Sequence, residues 1–198
     1  MVVGITGGIG SGKSFVARCF LKYENTVYYH ADEQAKELMH HSPEIRERLI
    51  SQFGKEVFLS NQLNRSLIAS VVFNHPDQLA KLNNIVHPAV RKHFQDFVHQ
   101  QQKNTFILYE NAILFETKSH LLCDDVITIT APVDIRIQRV VQRDQITKKE
   151  VLHRMQNQWH ESKKIRLSNY VILNIDKNET LLKVKNIHNI LTKRASFF

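Results

Sequence analysis

The chain has 198 residues, of which 42% are hydrophobic and 23% charged, a composition that excludes a disordered tail or a fibrous repeat and is ordinary for a globular protein. Its net charge of +8 favours anionic partners such as nucleotides, phosphorylated metabolites or nucleic acid, without choosing among them. The two cysteines, Cys19 and Cys123, are predicted to be buried, reduced thiols. We find no secretion leader and no apolar run of about 18 residues, so we expect a cytoplasmic protein without a membrane partner.

Five short apolar runs, rich in Val, Ile, Tyr and Thr, lack helical periodicity and predict buried strands. They are Val2–Thr6, Thr26–Ala31, Thr105–Glu110, Asp125–Ala131 and Tyr170–Asn174. Because helical stretches separate them, we expect parallel pairing through right-handed crossovers. The predicted fold class is α/β, with a doubly wound five-stranded parallel sheet covered by helices.

The segment Gly7–Ser14 matches the G-x-x-x-x-G-K-[ST] pattern and lies directly after the first predicted strand, where it opens a helix. Its glycines allow a tight turn whose backbone N–H groups point at phosphate oxygens, beside the positive end of the new helix. Lys13 is expected to reach the β- and γ-phosphates, and Ser14 to offer its hydroxyl to Mg²⁺. The nucleotide-binding residues predicted here are Gly8, Gly10, Ser11, Gly12, Lys13, Ser14 and, through its backbone N–H, Phe15. The predicted fold is therefore of the P-loop NTPase type.

The distribution of glycine excludes two other P-loop classes. Five of the six glycines fall within the first twelve residues, which leaves Gly54 alone in the rest of the chain. A GTPase switch needs D-x-x-G, but Ser51 stands three residues before Gly54, and N-K-x-D is absent. The glycine-rich signature motif of transporter ATPases is also absent, because Gly54 is the one glycine after residue 12.

Asp32 follows the second predicted strand, and ligands of open parallel sheets bind at the carboxyl ends of the strands. A carboxylate there suits a kinase, because it can orient an acceptor hydroxyl and accept its proton. The alternative is that Asp32 caps the next helix, and one residue can do both.

About seventy residues separate the second and third predicted strands, so an insertion at 34–102 is expected between core segments 1–33 and 103–198. Proline is tolerated in a first helical turn, and three X-Pro pairs therefore mark helix starts in the insertion. These pairs are Ser42-Pro43, His75-Pro76 and His87-Pro88. The insertion is predicted to be helical, with His87 either a helix-entry residue or a substrate contact.

Glu110 ends the third predicted strand. It either orients Mg²⁺ through water or contacts the substrate, and the alternative is a capping or ion-paired carboxylate. The eleven histidines show no close metal-ligand spacing, so zinc is not indicated.

Two helices are predicted between the fourth and fifth strands. The second begins at Thr147–Glu150, which has capping-box spacing, and is expected to run through Trp159 towards Arg166. After the fifth strand, an amphipathic helix is predicted from Asn178 to Lys193, before an apolar Phe197-Phe198 tail.

Arg136, Arg139 and Arg143 recur at three- and four-residue steps on the first of these helices. Arginine forks stabilise the negative charge that spreads over a phosphoryl group in transfer, so beside a P-loop this basic hairpin, about 136–166, is predicted to be a lid. Arg136 and Arg139 are the leading candidates to contact ATP, with Arg143 next. The alternative is a solvated helix face.

Taken together, these residues make the chain resemble the dephospho-CoA kinases over essentially its whole length. The resemblance lies in Thr6–Ser14, Ala31-Asp32, His87-Pro88, Leu114-Phe115-Glu116, Gln142-Arg143-Asp144 and Tyr170–Asn174. It implies phosphorylation of the 3′-hydroxyl of the dephospho-CoA ribose by ATP with Mg²⁺, the last step of coenzyme A synthesis. It also implies a P-loop core, a helical domain that receives the CoA portion, a lid, and Asp32 as general base or hydroxyl-orienting group.

The expected catalytic residues are Asp32, Lys13 and Arg139, and the expected substrate contacts are Asp32, His87 and Glu110. Dephospho-CoA is the expected partner, with no nucleic acid and no membrane, while the oligomeric state is left open, a monomer included.

The chain departs from the family pattern at three places. His30 stands where the family usually has the first Asp of Asp-Ala-Asp, and Phe15 replaces the usual Thr after the P-loop serine. Glu110-Asn111-Ala112-Ile113-Leu114 replaces a Pro-Leu-Leu type sequence beside the substrate.

Two alternatives stay open from the sequence. The first is another P-loop kinase of small metabolites, of nucleoside, nucleotide or shikimate type, although D-R-[YFH], D-G-F-P-R and a later glycine-rich acceptor loop are absent. The second is a nucleic-acid-binding ATPase, which the net charge of +8 permits.

Overall fold

The computed structural model describes residues 1–73, 75–102 and 105–195, so the Phe197-Phe198 tail lies outside the described residues. The chain divides into two compact units, one of Met1–His30 and Gln102–Phe198 and the other of Ala31–Gln101. The second unit thus begins three residues before the start predicted for the insertion. None of the helices in the described ranges combines the length and the hydropathy that a membrane-crossing segment needs.

Outside the second unit, helices connect most successive strands, but the third and fourth predicted strands are joined by residues 111–124, where a helix was expected and only the short 3₁₀ turn Ser119–Leu122 is present. In chain order the elements are β1 (Val2–Thr6), α1 (Lys13–Phe20), β2 (Thr26–His30), α2 (Ala31–His41), α3 (Pro43–Phe53), β3 (Phe58–Leu59), β4 (Gln62–Leu63), α4 (Arg65–Phe73), α5 (Pro76–His99), β5 (Phe106–Glu110), β6 (Asp125–Thr130), α6 (Val133–Asp144), α7 (Lys148–Gln156), α8 (Glu161–Leu167), β7 (Tyr170–Leu173) and α9 (Lys177–Ala195).

The first unit is built on a five-stranded sheet of order β2-β5-β1-β6-β7, in which every neighbouring pair is parallel. This confirms the predicted fold class, and each of the five predicted strands is present to within one residue at either end. β1 lies in the middle, with β5 and β6 as its neighbours. The loop that follows β1 therefore starts at the carboxyl edge of the sheet, where such folds bind ligands.

Burial of aliphatic side chains fixes β1 in that central place. Val3 and Ile5 are fully buried and pack in one cluster with strand residues Leu108 and Ile127 and with Phe20 of α1. Complete burial of one such side chain contributes about 1.5–3 kcal/mol relative to exposure. The P-loop thus starts directly after a strand whose Val3 and Ile5 side chains are fully buried in the core.

The second unit is a helical cluster with a small β3–β4 hairpin, which pairs antiparallel and was not predicted. Its core is made of apolar side chains from these helices and the hairpin, namely Ile45, Leu49, Val57, Phe58, Leu63, Ile68 and Ile85. Ser42 caps α3 by accepting a bond from the Ile45 N–H, as its position before Pro43 predicts.

The prediction that His87-Pro88 starts a helix is wrong, because Pro88 lies inside the 24-residue helix α5. Proline has no N–H to donate to the carbonyl four residues earlier. That carbonyl belongs to Asn84, and it accepts instead from Nη2 of Arg48 at 3.5 Å. The helix therefore continues past a residue that normally interrupts one.

The second helix of the predicted lid is also shorter than expected. The predicted capping box at Thr147 and Glu150 is present, but α7 ends at Gln156 and α8 begins only at Glu161. His160 caps α8 by accepting a bond from the Ser162 N–H. Trp159 consequently lies in a connection between two helices and not within one.

The two thiols differ in burial. Cys19 on α1 is buried, as predicted, whereas Cys123 is partly exposed, and both are free. Burial of its sulfur raises the pKa of Cys123 to about 12. Both thiols are protonated near neutral pH, which makes them poor nucleophiles.

Candidate active site

The P-loop turns from β1 into α1 at Gly12, whose φ of 91° is left-handed. That conformation favours glycine, and a Cβ at this position would also collide with the side-chain amide of Asn174. The Ser11 N–H donates to the Gly8 carbonyl and the Phe15 N–H to the Gly12 carbonyl, each at 3.1 Å. The loop is thus closed by its own backbone.

Lys13 opens α1 and bends back over the loop. Its Nζ donates to the Gly7 carbonyl at 3.2 Å and to the Gly8 carbonyl at 3.5 Å. The ammonium group therefore already lies at the P-loop glycines, where the motif predicts that it meets phosphate oxygens.

Glu110, at the end of β5, is buried and gathers three side chains. Its Oε1 accepts from the Ser14 hydroxyl at 2.9 Å, and its Oε2 accepts from the Tyr28 hydroxyl at 2.6 Å. His30 Nε2 lies 3.6 Å from Oε1, and its ring stacks on that of Tyr28. The departure of His30 from the family's aspartate thus places an imidazole beside a carboxylate, next to the hydroxyl predicted to face a metal.

Two arginines of α6 lie against the loop. Arg136 is buried, and a Cβ on Gly8 would collide with its guanidinium, while its Nη1 contacts Glu161 Oε1 at 3.2 Å. Arg139 donates through Nη2 to the Asn174 carbonyl at 3.0 Å. The absence of a side chain at Gly8 is therefore what allows Arg136 so close to the P-loop backbone.

Three buried polar atoms around the P-loop have no hydrogen-bond partner among the described residues: Ser11 Oγ, Arg136 Nε and Arg139 Nη1. Buried donors are nearly always paired in folded proteins, so an unpaired group of this kind needs an explanation. Two of the atoms belong to cationic forks, which bind anions with oxygen acceptors. The local chemistry therefore fits a polyanion with several oxygens.

Arg143 lies elsewhere. Its side chain is 64% exposed and forms a two-pronged contact with Asp144 at 2.7 and 3.1 Å. Hydrogen bonding from Arg143, with a further contribution from Arg154, holds the pKa of Asp144 below its usual value. The structure does not bring Arg143 together with Arg136 and Arg139 at the P-loop glycines.

Asn174, the residue after β7, supports the P-loop through its side-chain amide. The sequence alone did not predict this role. Its Nδ2 donates to the Ser11 carbonyl at 2.8 Å, and its Oδ1 accepts from the Thr180 hydroxyl at 3.2 Å. The available signal was an amide side chain directly after a strand, at the edge of the sheet that carries the P-loop.

A buried ion pair was also missed. Lys164 on α8 is completely buried, and its Nζ lies 2.8 Å from Glu116 Oε1 and 2.6 Å from the Ala112 carbonyl. No sequence pattern marks a lysine for burial, because lysine on a helix is normally solvated. The pair joins α8 to the segment that follows β5.

The remaining predicted residues, Asp32 and His87, belong to the second unit. Asp32 is exposed in the first turn of α2, where a carboxylate favours the helix dipole. Burial lowers the pKa of His87, and the nearby Asp32 carboxylate opposes that shift. The imidazole of His87 is therefore mainly neutral at pH 7.

The sheet is parallel, has the order β2-β5-β1-β6-β7 and carries a P-loop after its central strand. Two arginines of α6 lie at the glycines of that loop. This combination defines a P-loop kinase. The family model described as dephospho-CoA kinase matches residues 1–179. A dephospho-CoA kinase from Chlorobium chlorochromatii is 36% identical over an alignment of 203 positions, gaps included, which covers 98% of this chain and 95% of that protein. The chain belongs to the dephospho-CoA kinase family.

Solved structures agree with the fold. A crystal structure of a Thermus thermophilus protein is 27% identical, with a TM-score of 0.84 over 98% of this chain and 97% of that one. A dephospho-CoA kinase from Campylobacter jejuni has the same fold at 19% identity, with a TM-score of 0.64 and 97% of each chain covered.

Proposed function

We propose that this chain transfers the γ-phosphate of ATP to the 3′-hydroxyl of the dephospho-CoA ribose, giving CoA and ADP in the last step of coenzyme A synthesis. Membership of the family over residues 1–179 supports the choice of reaction. The observation that carries the ATP-binding part is the set of three unpaired, buried polar atoms around the P-loop, among the residues described. A triphosphate supplies the oxygen acceptors that these donors need.

The triphosphate is assigned to the P-loop backbone and to three cationic side chains. Lys13 exchanges the Gly7 and Gly8 carbonyls for phosphate oxygens, and Arg136 and Arg139 direct their unpaired N–H groups at the same anion. Gly8, Gly10, Ser11, Gly12, Ser14 and Phe15 complete the predicted contacts. Cationic forks stabilise charge that develops on the transferring phosphoryl group, so Arg139 and Lys13 act in catalysis as well as in binding.

Mg²⁺ fits the same site, because the oxygen donors that this ion prefers are present. Ser14 is the residue assigned to hold it, with Glu110 orienting the Ser14 hydroxyl from 2.9 Å. When bound, Mg²⁺ supplies charge neutralisation at the phosphate oxygens. Glu110 is also held by Tyr28, so its carboxylate is fixed before any ligand arrives.

The acceptor alcohol is assigned to Asp32, which orients the 3′-hydroxyl and accepts its proton. The exposed carboxylate in the first turn of α2 is available for this task. His87 is assigned a substrate contact, with a neutral imidazole that either donates or accepts one hydrogen bond. The helical unit as a whole is assigned to the CoA portion, and residues of about 136–166 to a lid.

We further assign Arg143 a weaker, outer contribution to the electrostatic field of the lid, since Asp144 already neutralises it. Polyanionic substrates account for the net charge of +8 without nucleic acid or membrane as partners. A cytoplasmic location completes the proposal.

The function is tested by a substrate screen that follows ADP release with Mg²⁺ and ATP. We expect dephospho-CoA to be turned over and mass spectrometry to place the new phosphate on the 3′-oxygen. Transfer to adenosine or to shikimate instead would replace this assignment by the other small-metabolite kinases. Turnover stimulated by an oligonucleotide, with affinity that falls steeply with salt, would favour the nucleic-acid-binding ATPase.

Replacement of Arg139 by Met should lower kcat/KM for ATP by about 10- to 100-fold, because a charged hydrogen-bond donor to the phosphates is lost. Steady-state kinetics at saturating dephospho-CoA measures this. Arg18→Met, which changes an exposed arginine in the last turn of α1, is the matched control and should stay near the wild-type value. Equal kinetics of the two variants would remove Arg139 from the phosphate site.

A further inference from the structure

The connection between α7 and α8, residues 157–160, is called here the lid turn. It meets the P-loop through one hydrogen bond: the side-chain Oε1 of Gln158 accepts from the backbone N–H of Ile9 at 2.9 Å. Ile9 is the third residue of the P-loop motif, and the motif itself does not specify a partner for its backbone N–H.

A second contact reinforces this bond. The side chain of Ile9 packs against the apolar cluster formed by Ile137, Val140 and Val151 of α6 and α7. Ile9 is therefore tied to the helical hairpin through its side chain and to the lid turn through its backbone.

The lid turn is anchored at its other end by buried charges. The Trp159 N–H donates to Glu116 Oε1 at 2.8 Å, and the same oxygen lies 2.8 Å from Nζ of the buried Lys164. Lys164 also donates to the Ala112 carbonyl, in the segment directly after β5. The backbone next to Gln158 is thus fixed, so its side chain is presented to Ile9 without a search through many conformations.

Resting on the proposed function, we infer that Gln158 is a positioning residue for phosphoryl transfer. It acts through Ile9: the bond sets the P-loop relative to α6, the helix that carries Arg136 and Arg139. Small errors in the placement of groups around a reacting phosphate lower the rate even when binding survives. Loss of the bond should therefore act mainly on kcat.

The test replaces Gln158 by Met, which keeps the length of the side chain and removes the acceptor. Gln102→Met, at an exposed glutamine of the first unit before β5 and outside the lid, is the matched control. We expect kcat to fall about two- to tenfold in Gln158→Met, the range for one neutral hydrogen bond, with KM for ATP little changed. Gln158→Ala, which removes the same acceptor without adding a methyl thioether, should repeat the result.

Hydrogen exchange of the Ile9 amide in the nucleotide-free protein gives a readout that is independent of turnover. Exchange should accelerate in both Gln158 variants and stay unchanged in the control. A kcat equal to that of the control would overturn the inference, as would a lower KM for ATP with unchanged kcat, since that is the behaviour of a side chain that must leave before ATP enters. If the wild-type protein makes no CoA, the proposed function is wrong. The exchange rate of the Ile9 amide would still show whether its hydrogen bond to Gln158 is present.

Discussion

Replacement of Asp32 by Asn is expected to lower kcat by roughly 10²- to 10⁴-fold, the contribution of a positioned general base. The amide is nearly the same size as the carboxylate but cannot take the proton of the 3′-hydroxyl. Nucleotide affinity should be largely retained, because the proposed phosphate contacts are the P-loop, Lys13 and the arginines of α6, and not Asp32. Single-turnover kinetics and an ATP titration measure the two quantities separately.

Asp77→Asn provides a close control for this experiment. Asp77 is also an exposed acidic residue, in the first turn of a helix of the same unit, namely α5. A loss that arises only from the helix dipole would appear in both variants as a small fall in stability. Unchanged turnover of Asp32→Asn would take this residue out of the mechanism.

Replacement of Lys13 by Ala is expected to impair both binding and rate, with kcat lowered roughly 10²- to 10³-fold, as for the loss of a preorganised donor in a phosphate site. The ammonium group serves the bound triphosphate and the transition state alike, so KM for ATP should rise together with the fall in kcat. Initial rates over a range of ATP concentrations measure both parameters.

Lys185→Ala, at an exposed lysine on α9, controls for the loss of one positive charge from a chain of net charge +8. A general electrostatic effect would be shared by the two variants and would weaken with added salt. If Lys13→Ala were to bind ATP as the wild type does, the P-loop assignment of the nucleotide would have to be abandoned.

The sheet was predictable because its signals are local. A buried run such as Val2–Thr6 needs no partner to be recognised, and long spacers between such runs favour parallel pairing. The spacer between β5 and β6 contains the short 3₁₀ turn Ser119–Leu122 and not the expected helix. The P-loop was predictable for the same reason, since Gly12 and Lys13 must stand at fixed offsets for the turn to form. The order of the strands, β2-β5-β1-β6-β7, was not predicted, because local signals do not say which runs become neighbours in the sheet.

Two of the errors lie where a distant side chain bonds to the local backbone. Pro88 reads as a helix start, yet Arg48 provides for the carbonyl that proline leaves unbonded, and α5 continues. Trp159 reads as helical, yet its N–H is captured by Glu116 from another part of the chain. The β3–β4 hairpin was missed because two-residue strands carry almost no pattern, although Ser60 and Asn61 have the positive φ of a tight hairpin turn.

The candidate site also has a part that was predictable from the sequence and a part that was not. Its cationic residues at fixed spacing were visible in the sequence, whereas the supports contributed by Asn174 and Gln158 depend on contacts across more than 140 residues of chain. The exposed pairing of Arg143 with Asp144 shows the limit of a spacing argument. Three arginines at three- and four-residue steps share one face of α6, but Arg143 lies about two turns, roughly 10 Å, further along that face than Arg136.

The ion pair of the fully buried Lys164 with the largely buried Glu116 carries an evolutionary consequence. A charge enclosed in protein is tolerable only beside its counter-charge, so a drifting sequence cannot alter one position and wait for the other. Two apolar side chains of matching volume are an acceptable joint outcome, but every single-step route to them passes through a bare ion. Homologues should therefore keep these two positions together or exchange them together, and laboratory evolution of this scaffold should find them frozen unless both codons are randomised at once.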